Sequence, residues 1–210
     1  MARSSAYQYS VFVNCPFDVR YRGLLRAMVF AVIDCGFEPR CAWEIVSSGS
    51  DRLDKLFRLM AECKFGIHDL SRTQVDSKTG LPRFNMPFEL GVFLGAKRFG
   101  RNQQRKKSCI VLDTESYRYR KFISDIGGCD VLAHGNNVES LIRTIRDWLG
   151  TYSKRLIPGG KTVFRKYQRF LKQLPSQSRA LDIEYSELTY MDFRLLAEEW
   201  LDFYEEERVA

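Results

Sequence analysis

Histidine occurs only twice in the 210 residues, and none of the six cysteines stands in a Cys-x-x-Cys pair. The usual spacing of zinc ligands is therefore missing. No apolar run reaches the roughly 18 residues of a membrane span. The N-terminal MARSSAYQYS has no apolar stretch of the signal-peptide kind. Two phosphate-binding patterns are also incomplete. Cys15 to Arg20 has the spacing C-x4-R where phosphatases use C-x5-R, with no glycine to form an anion-cradling loop. Gly160-Lys161-Thr162 echoes the end of a P-loop, but Arg155 stands where that motif needs glycine, and no strand precedes it. Ser, His and Asp do not assemble into a readable triad.

Hydrophobic residues make up 45% and charged residues 28% of the chain, which excludes wholesale disorder and collagen-like structure. The length predicts one large domain, or one with a small appendage. The net charge of +7 suits an anionic partner without identifying it. No nucleic-acid docking motif accompanies that charge, so nucleic acid is not the expected partner. Lys97 to Lys121 is dense in basic residues, and Glu198 to Glu207 is acidic, a pairing that fits self-association or a partner protein. Within the basic stretch, Tyr117 to Lys121 mixes aromatic and basic residues as single-strand binders do. It reads as a solvated loop that contacts a phosphate or a partner. The cysteines stand at 15, 35, 41, 63, 109 and 129. Cys35, Cys63 and Cys109 lie inside apolar segments, as reduced core thiols do, which predicts a cytoplasmic protein.

Strand-like and helix-like segments alternate along the first 150 residues or so. Strands are predicted over Tyr9 to Asn14, Phe37 to Ala42, Lys64 to Leu70, Ser108 to Asp113 and Asp130 to Ala133. Pro39 suits an edge position for the second strand. Helices are predicted over Tyr21 to Cys35, from Ser50 or Asp51 to Cys63, over Pro87 to Arg98, and over Val138 to Leu149. Such alternation calls for a doubly wound, parallel, five-stranded α/β sheet of the flavodoxin-like type, order 2-1-3-4-5. Pro158-Gly159-Gly160 marks a break. Beyond it, Lys161 to Leu174 and Thr189 to Glu206 read as two helices. Residues 1–150 thus form the sheet domain, and 151–210 a C-terminal helical appendage. In such sheets ligands bind at the carboxyl ends of the strands where the winding reverses, here between strands one and three.

The residues expected at that crevice are Asn14 to Asp18 and Asp69 to Ser71. Asp69 is either a turn and cap residue before Ser71 or a ligand-binding group. Asn14 and Asp18 are also common turn residues. His68 points to the opposite face from Asp69 and reads as a core histidine. From Phe84 to Ala96 the sequence runs FNMPFELGVFLGA, with Glu89 its only charge. Pro87 fits a helical first turn, which sets Glu89 near the third helical position. Met86 occupies the place where a capping box would need Ser or Thr. Glu89 is therefore either a structural glutamate near the helix start or an ionised carboxylate beside a ligand pocket, kept deprotonated by the helix dipole. Gly91 and Gly95, four apart, predict close approach of the sheet or a ligand.

A first strand VFVN, a third strand ending in Asp69-Leu70-Ser71, and Asn85-x-x-x-Glu89-Leu90-Gly91 at a helix start together resemble the TIR-like nucleotide-binding proteins of bacteria. The same layout is similar to the nucleoside 2-deoxyribosyltransferase-like proteins, and the chain also resembles a group of short bacterial proteins through its FNMPFELG segment. The resemblance covers about 10 to 134. It implies that Glu89 is catalytic at the anomeric carbon of a nucleoside or of NAD, and that Asn85 and Asp69 match residues of the same site. It further implies an N-glycosidase-type hydrolase or transferase that needs no cofactor, with NAD or a nucleotide as substrate or ligand. TIR-like proteins of bacteria often act in anti-phage defence, which the resemblance extends to this chain. The Cys15-Pro16-Phe17-Asp18 loop departs from both families' first loops, which leaves the leaving base open. On this expectation Asp69 holds ribose hydroxyls or a base edge, and Asn14 with the backbone of Cys15 to Phe17 lines the opposite wall. Trp43 and Glu44 stack on or bind an adenine, with core packing as the alternative for Trp43. The rival expectations are a module that senses a nucleotide without cleaving it, and an assembly module on the same fold.

Overall fold

The computed structural model describes residues 7–44, 51–73, 75, 80–126 and 131–209. Five segments form the sheet: β1 (Ser10–Asn14), β2 (Glu38–Arg40), β3 (Phe65–Asp69), β4 (Ser108–Asp113) and β5 (Val131–Ala133). All neighbours pair in parallel, in the order β2-β1-β3-β4-β5. This is the flavodoxin-like arrangement, and the winding reverses between β1 and β3. Pro39 sits in the edge strand β2, where a missing N–H costs no central ladder bond. Ser50, Cys129 and Asp130 lie outside the described residues, as do residues 1–6 and part of the loop between Ser71 and Pro82.

Side-chain alternation along the strands splits the core in two. Val11, Val13, Phe65, Ile67, Ile110 and Leu112 point to the face covered by α1 (Arg22–Asp34) and α4 (Val138–Ser153). Phe12 and Val111 point to the face covered by α2 (Arg52–Ala61) and α3 (Asn85–Phe99). Asp51 caps α2 by accepting a bond from the Leu53 N–H at 2.9 Å. Asn137 caps α4 by accepting from the Ser140 N–H at 2.8 Å. Cys15, Cys35, Cys41 and Cys63 are buried free thiols, and Cys109 is half-buried.

Two long helices follow, α5 (Gly160–Ala180) and α6 (Tyr190–Val209). The sequence places a helix end at Leu174, but α5 continues through Pro175. Leu174 and Ser178, one turn apart, are both wholly buried, so packing outweighs the backbone bond that proline removes. The tail does not have a core of its own. Phe30 of α1 stacks on Phe170 at 5.3 Å, and Phe170 meets Trp200 at 5.7 Å, within one cluster that includes β1 and β3. Lys166 of α5 is buried between Asp34 at 2.7 Å and Glu205 at 2.6 Å. No helix among the described residues is long and apolar enough to cross a membrane.

Candidate active site

The crevice floor is made of polar side chains that bond to one another, with His68 Nε2 left without a hydrogen-bond partner among the described residues. Asn14, at the end of β1, is buried on the α3 face. Its Nδ2 donates to the Met86 carbonyl at 2.9 Å and lies 3.0 Å from His68 Nδ1. Asn14 thus ties β1 to the first turn of α3, and is no simple turn residue. His68 Nδ1 serves as the acceptor of that pair, which places the ring proton on Nε2. Burial, with Lys107 adding to it, pushes the imidazole down to about 3, so it is neutral. Nε2 lies over Gly66, where a Cβ would stand 2.8 Å from it and 2.9 Å from Phe93. Glycine in mid-strand is what lets the His68 and Phe93 rings meet at 5.0 Å.

Asp69 turns to the other face, as alternation predicts, and is completely buried. Its Oδ2 accepts from the Tyr21 hydroxyl at 2.5 Å and lies 3.0 Å from His134 Nε2. Its Oδ1 accepts from the Ser71 backbone N–H at 2.8 Å and from the Ser71 hydroxyl. His134 Nδ1 accepts from the Asn136 N–H at 3.0 Å, so the ring proton sits on Nε2, facing Asp69 and Ser71. Burial raises the Asp69 carboxyl, but hydrogen bonds from His134, Ser71 and Tyr21 outweigh it and hold the group below its ordinary value. Ser, His and Asp do assemble here, but in a sealed network. Asp69 and Ser71 have no exposed face with which to touch a ligand, so the expectation of a direct contact from either gives way to a bracing role. Tyr21 and His134 had no signal in the sequence, because their partners are 48 and 65 residues away.

Glu89 stands apart from this network. The sequence expectation starts the helix at Pro87, whereas α3 begins at Asn85, which makes Glu89 the fifth helical residue. Pro87 is the third, still among the N-terminal positions whose N–H has no intrahelical partner. Glu89 is half-buried on the flank of α3 and makes no hydrogen bond or ion pair among the described residues. Burial pushes its carboxyl up to about 7, with Arg52 at the start of α2 pulling the other way. The expectation of a carboxylate kept ionised by the dipole is therefore corrected. Five residues in, desolvation outweighs the helix end, and near neutral pH the group is divided between its two forms. Cys15 lies within electrostatic range of both Glu89 and Asp69, and its burial raises the thiol far above reactivity.

The outer wall is aromatic. Phe17 stacks on Trp43 with centroids 4.9 Å apart and planes 27° apart, and Trp43 keeps 41% of its surface exposed. Glu44 accepts from Arg40 Nε at 2.7 Å and from the Cys41 N–H at 2.8 Å, so its carboxylate is already engaged. Asp18 accepts from the Tyr21 N–H at 3.0 Å and lies 3.8 Å from both Arg72 and Arg83. Cys15 and Pro16 are buried, while Asn85 is exposed. Of the residues expected at the site, Phe17, Asp18, Trp43, Glu44, Asn85 and Glu89 retain accessible surface, and Asn14, Cys15, Pro16, Asp69 and Ser71 form the buried floor. In the basic stretch, Arg118 turns inward: its Nε donates to Asp113 at 2.7 Å and its Nη2 to the Leu70 carbonyl at 2.6 Å.

A Cβ at Gly91 or Gly95 would meet nothing within 4 Å. The sheet makes no close approach at either glycine among the described residues. Both glycines lie instead on an outward stripe with Phe84, Phe88 and Phe99, which are 65%, 50% and 84% exposed. No protein-family model matches the chain, and no curated protein matches it.

Proposed function

We propose that Glu89 is the catalytic carboxyl of an N-glycosidase-type reaction, cleaving the sugar–base bond of NAD or a nucleotide held at the carboxyl edge of the sheet. The observation that supports this most directly is the Glu89 carboxyl itself. It is half-buried, without a partner among the described residues, and raised to about 7 by burial. Unpartnered carboxyls with such shifts in a cleft are characteristic of acid–base and nucleophilic sites. In the proposed step the C1′–N bond breaks and its electron pair leaves with the base. For NAD the departing pyridinium becomes neutral nicotinamide, so no acid is required. The ionised Glu89 stabilises the oxocarbenium-like centre, and water adds at C1′ and gives up a proton. A role in anti-phage defence rests on the family resemblance alone.

The test is to incubate the purified protein with NAD and a nucleotide mixture and to separate the products by chromatography. Release of nicotinamide or free base is expected, reduced about 100-fold or more in Glu89→Gln. Because the ionised form acts, the rate should climb as pH rises through about 7. Equal release by the variant would remove Glu89 from the chemistry.

A second reading, a nucleotide sensor or assembly module, is favoured by the stripe of Phe84, Phe88, Gly91, Gly95 and Phe99. Contiguous exposed apolar surface of this kind suits a protein contact. Nucleotide binding without product release, together with concentration-dependent self-association, would favour it over catalysis.

A further inference from the structure

We propose that the junction of α1 with the segment joining α5 to α6 is a second ligand site, separate from the Glu89 crevice, for a small phosphate monoester carrying a planar ring. The site is a cavity of about 240 Å³. Arg22 and Arg26 line one side, the 186–190 segment and Phe193 the other, and Trp43 the rim.

Arg26 carries the argument. It is only 7% exposed, and it makes no ion pair among the described residues. Its guanidinium is held between aromatic rings, with Cζ 4.8 Å from the centroid of Tyr185 and 5.2 Å from that of Phe193. Nη1 donates to the Tyr185 hydroxyl at 2.7 Å, whereas Nη2 is buried with no hydrogen-bond partner among the described residues. A buried charge is ordinarily paired, because desolvation without compensation is costly. The other buried cations are compensated: Lys166 has Asp34 and Glu205, Lys107 donates to the Met60 and Cys63 carbonyls, and the half-buried Arg194 has Glu38 and Glu198. Arg26 breaks that rule, and it does so at a cavity wall.

The second cation sets the ligand's charge. Arg22 is one helical turn before Arg26, so both guanidinium groups can reach one anion. The first turn of α1 contains no acidic residue to neutralise them. Glu187 at the mouth is exposed and lies beyond ion-pair distance of either arginine. A carboxylate satisfies one guanidinium fork, whereas a phosphate monoester, with three outer oxygens and close to two charges, can engage two. The volume limits the ligand to a mononucleotide-sized molecule, below the usual range for larger ligands. Trp43 turns one face to Phe17 and stays 41% exposed at the rim, which provides the stacking surface for the ring.

Location keeps the two sites distinct. Arg22 and Arg26 belong to the helix on one face of the sheet, and Glu89 to a helix on the other. The test titrates the full-length protein with AMP, inorganic phosphate and adenosine at low salt, read by calorimetry and by tryptophan fluorescence. Trp148 and Trp200 are 7% and 4% exposed, so quenching reports Trp43. AMP should bind and quench, phosphate should compete more weakly, and adenosine should bind far more weakly than AMP. Arg22→Gln and Arg26→Gln should each weaken AMP binding about tenfold or more, with circular dichroism confirming the fold. Should Arg26→Gln fail to fold, the half-exposed Arg22 carries the test. Glu89→Gln should bind AMP as the parent does. The proposal is overturned if neither AMP nor phosphate binds, if AMP binds no tighter than phosphate, if Arg22→Gln leaves the affinity unchanged, or if Glu89→Gln abolishes binding.

Discussion

The Tyr21 hydroxyl, one residue before α1, donates a 2.5 Å hydrogen bond to Oδ2 of Asp69 at the end of β3. The bond crosses the point where the sheet reverses its winding, and both partners are sealed from water. Tyr21→Phe leaves Asp69 one donor short in a place water does not reach. It should destabilise the protein by about 1–2 kcal/mol in urea unfolding. Asp69→Asn should cost more, about 2–4 kcal/mol, because an amide cannot accept from Tyr21, Ser71 and His134 together. If catalysis depends on Glu89 alone, a folded Tyr21→Phe should retain most of the base-release activity.

Most of the frame around this pair was legible from the chain. The strand runs VFVN and SCIVLD and the apolar helical repeat through Leu24, Leu25, Met28 and Val32 are local signals, and each reports its own burial. Parallel pairing followed from the alternation, the strand order from the flavodoxin-like type expected for it, and the opposed faces of His68 and Asp69 from the two-residue period. Partnerships across 48 or 65 residues leave no local trace, which is why Tyr21 and His134 were not foreseen at Asp69. Glu89 was recognisable by its isolation in an apolar helix. Its protonation was not, because a two-residue shift in the helix start and the burial around the carboxyl decide it. Gly91 and Gly95 do not admit the sheet, for a related reason: a glycine marks either close contact or an open helix face, and only neighbours distinguish the two.

Glu89 should also reveal itself through stability. Its folded-state value of about 7 lies above the ordinary 4.5, so the native state holds that proton longer than the unfolded chain does. Stability tied to the protonated form is fully present below about 4.5 and is lost as pH rises through about 7. Glu89→Gln cannot ionise. It should therefore be more stable than the parent at pH 8, by on the order of 1–3 kcal/mol, and similar to it at pH 4. Thermal unfolding at the two pH values checks this. A variant that loses activity and gains no stability at pH 8 would contradict the buried, partnerless carboxyl.

His68 gives the opposite slope. Its imidazole is neutral down to about 3 in the folded protein, while the unfolded chain titrates near 6.5. Between those values the unfolded state binds more protons, so stability falls as the solution is acidified. The loss should reach on the order of 3 kcal/mol at pH 4. His68→Gln should flatten that part of the stability–pH curve, whatever it does to stability at pH 8.

The tail should prove inseparable from the sheet. Phe170 is fully buried between Phe30, Phe193 and Trp200, and Phe30 belongs to α1. Phe170→Ala should cost about 3–5 kcal/mol, from lost contact and from the cavity left behind. A chain ending after Ser153 would open the α1 surface around Phe30 to water, and should lose cooperative unfolding in calorimetry. Retention of a sharp transition would mean that residues 151–210 are dispensable for the core.

Gly91 and Gly95 allow the outward stripe of α3 to be tested in both directions at once. Each sits within the helix with open space where a Cβ would go and no positive φ to forbid one. In an isolated chain, Gly91→Ala and Gly95→Ala should each stabilise by roughly 0.5–1 kcal/mol, since alanine loses less backbone freedom on folding. If Phe84, Phe88 and Phe99 form a contact between copies, the glycines are where two helices approach, and the added methyls hold them apart. The double variant should then be more resistant to denaturant as a monomer, yet dissociate at higher protein concentration than the parent in sedimentation velocity. Greater stability with unchanged self-association would place any contact elsewhere on the surface, because no helix pair packed across two glycines accepts two methyl groups without moving apart.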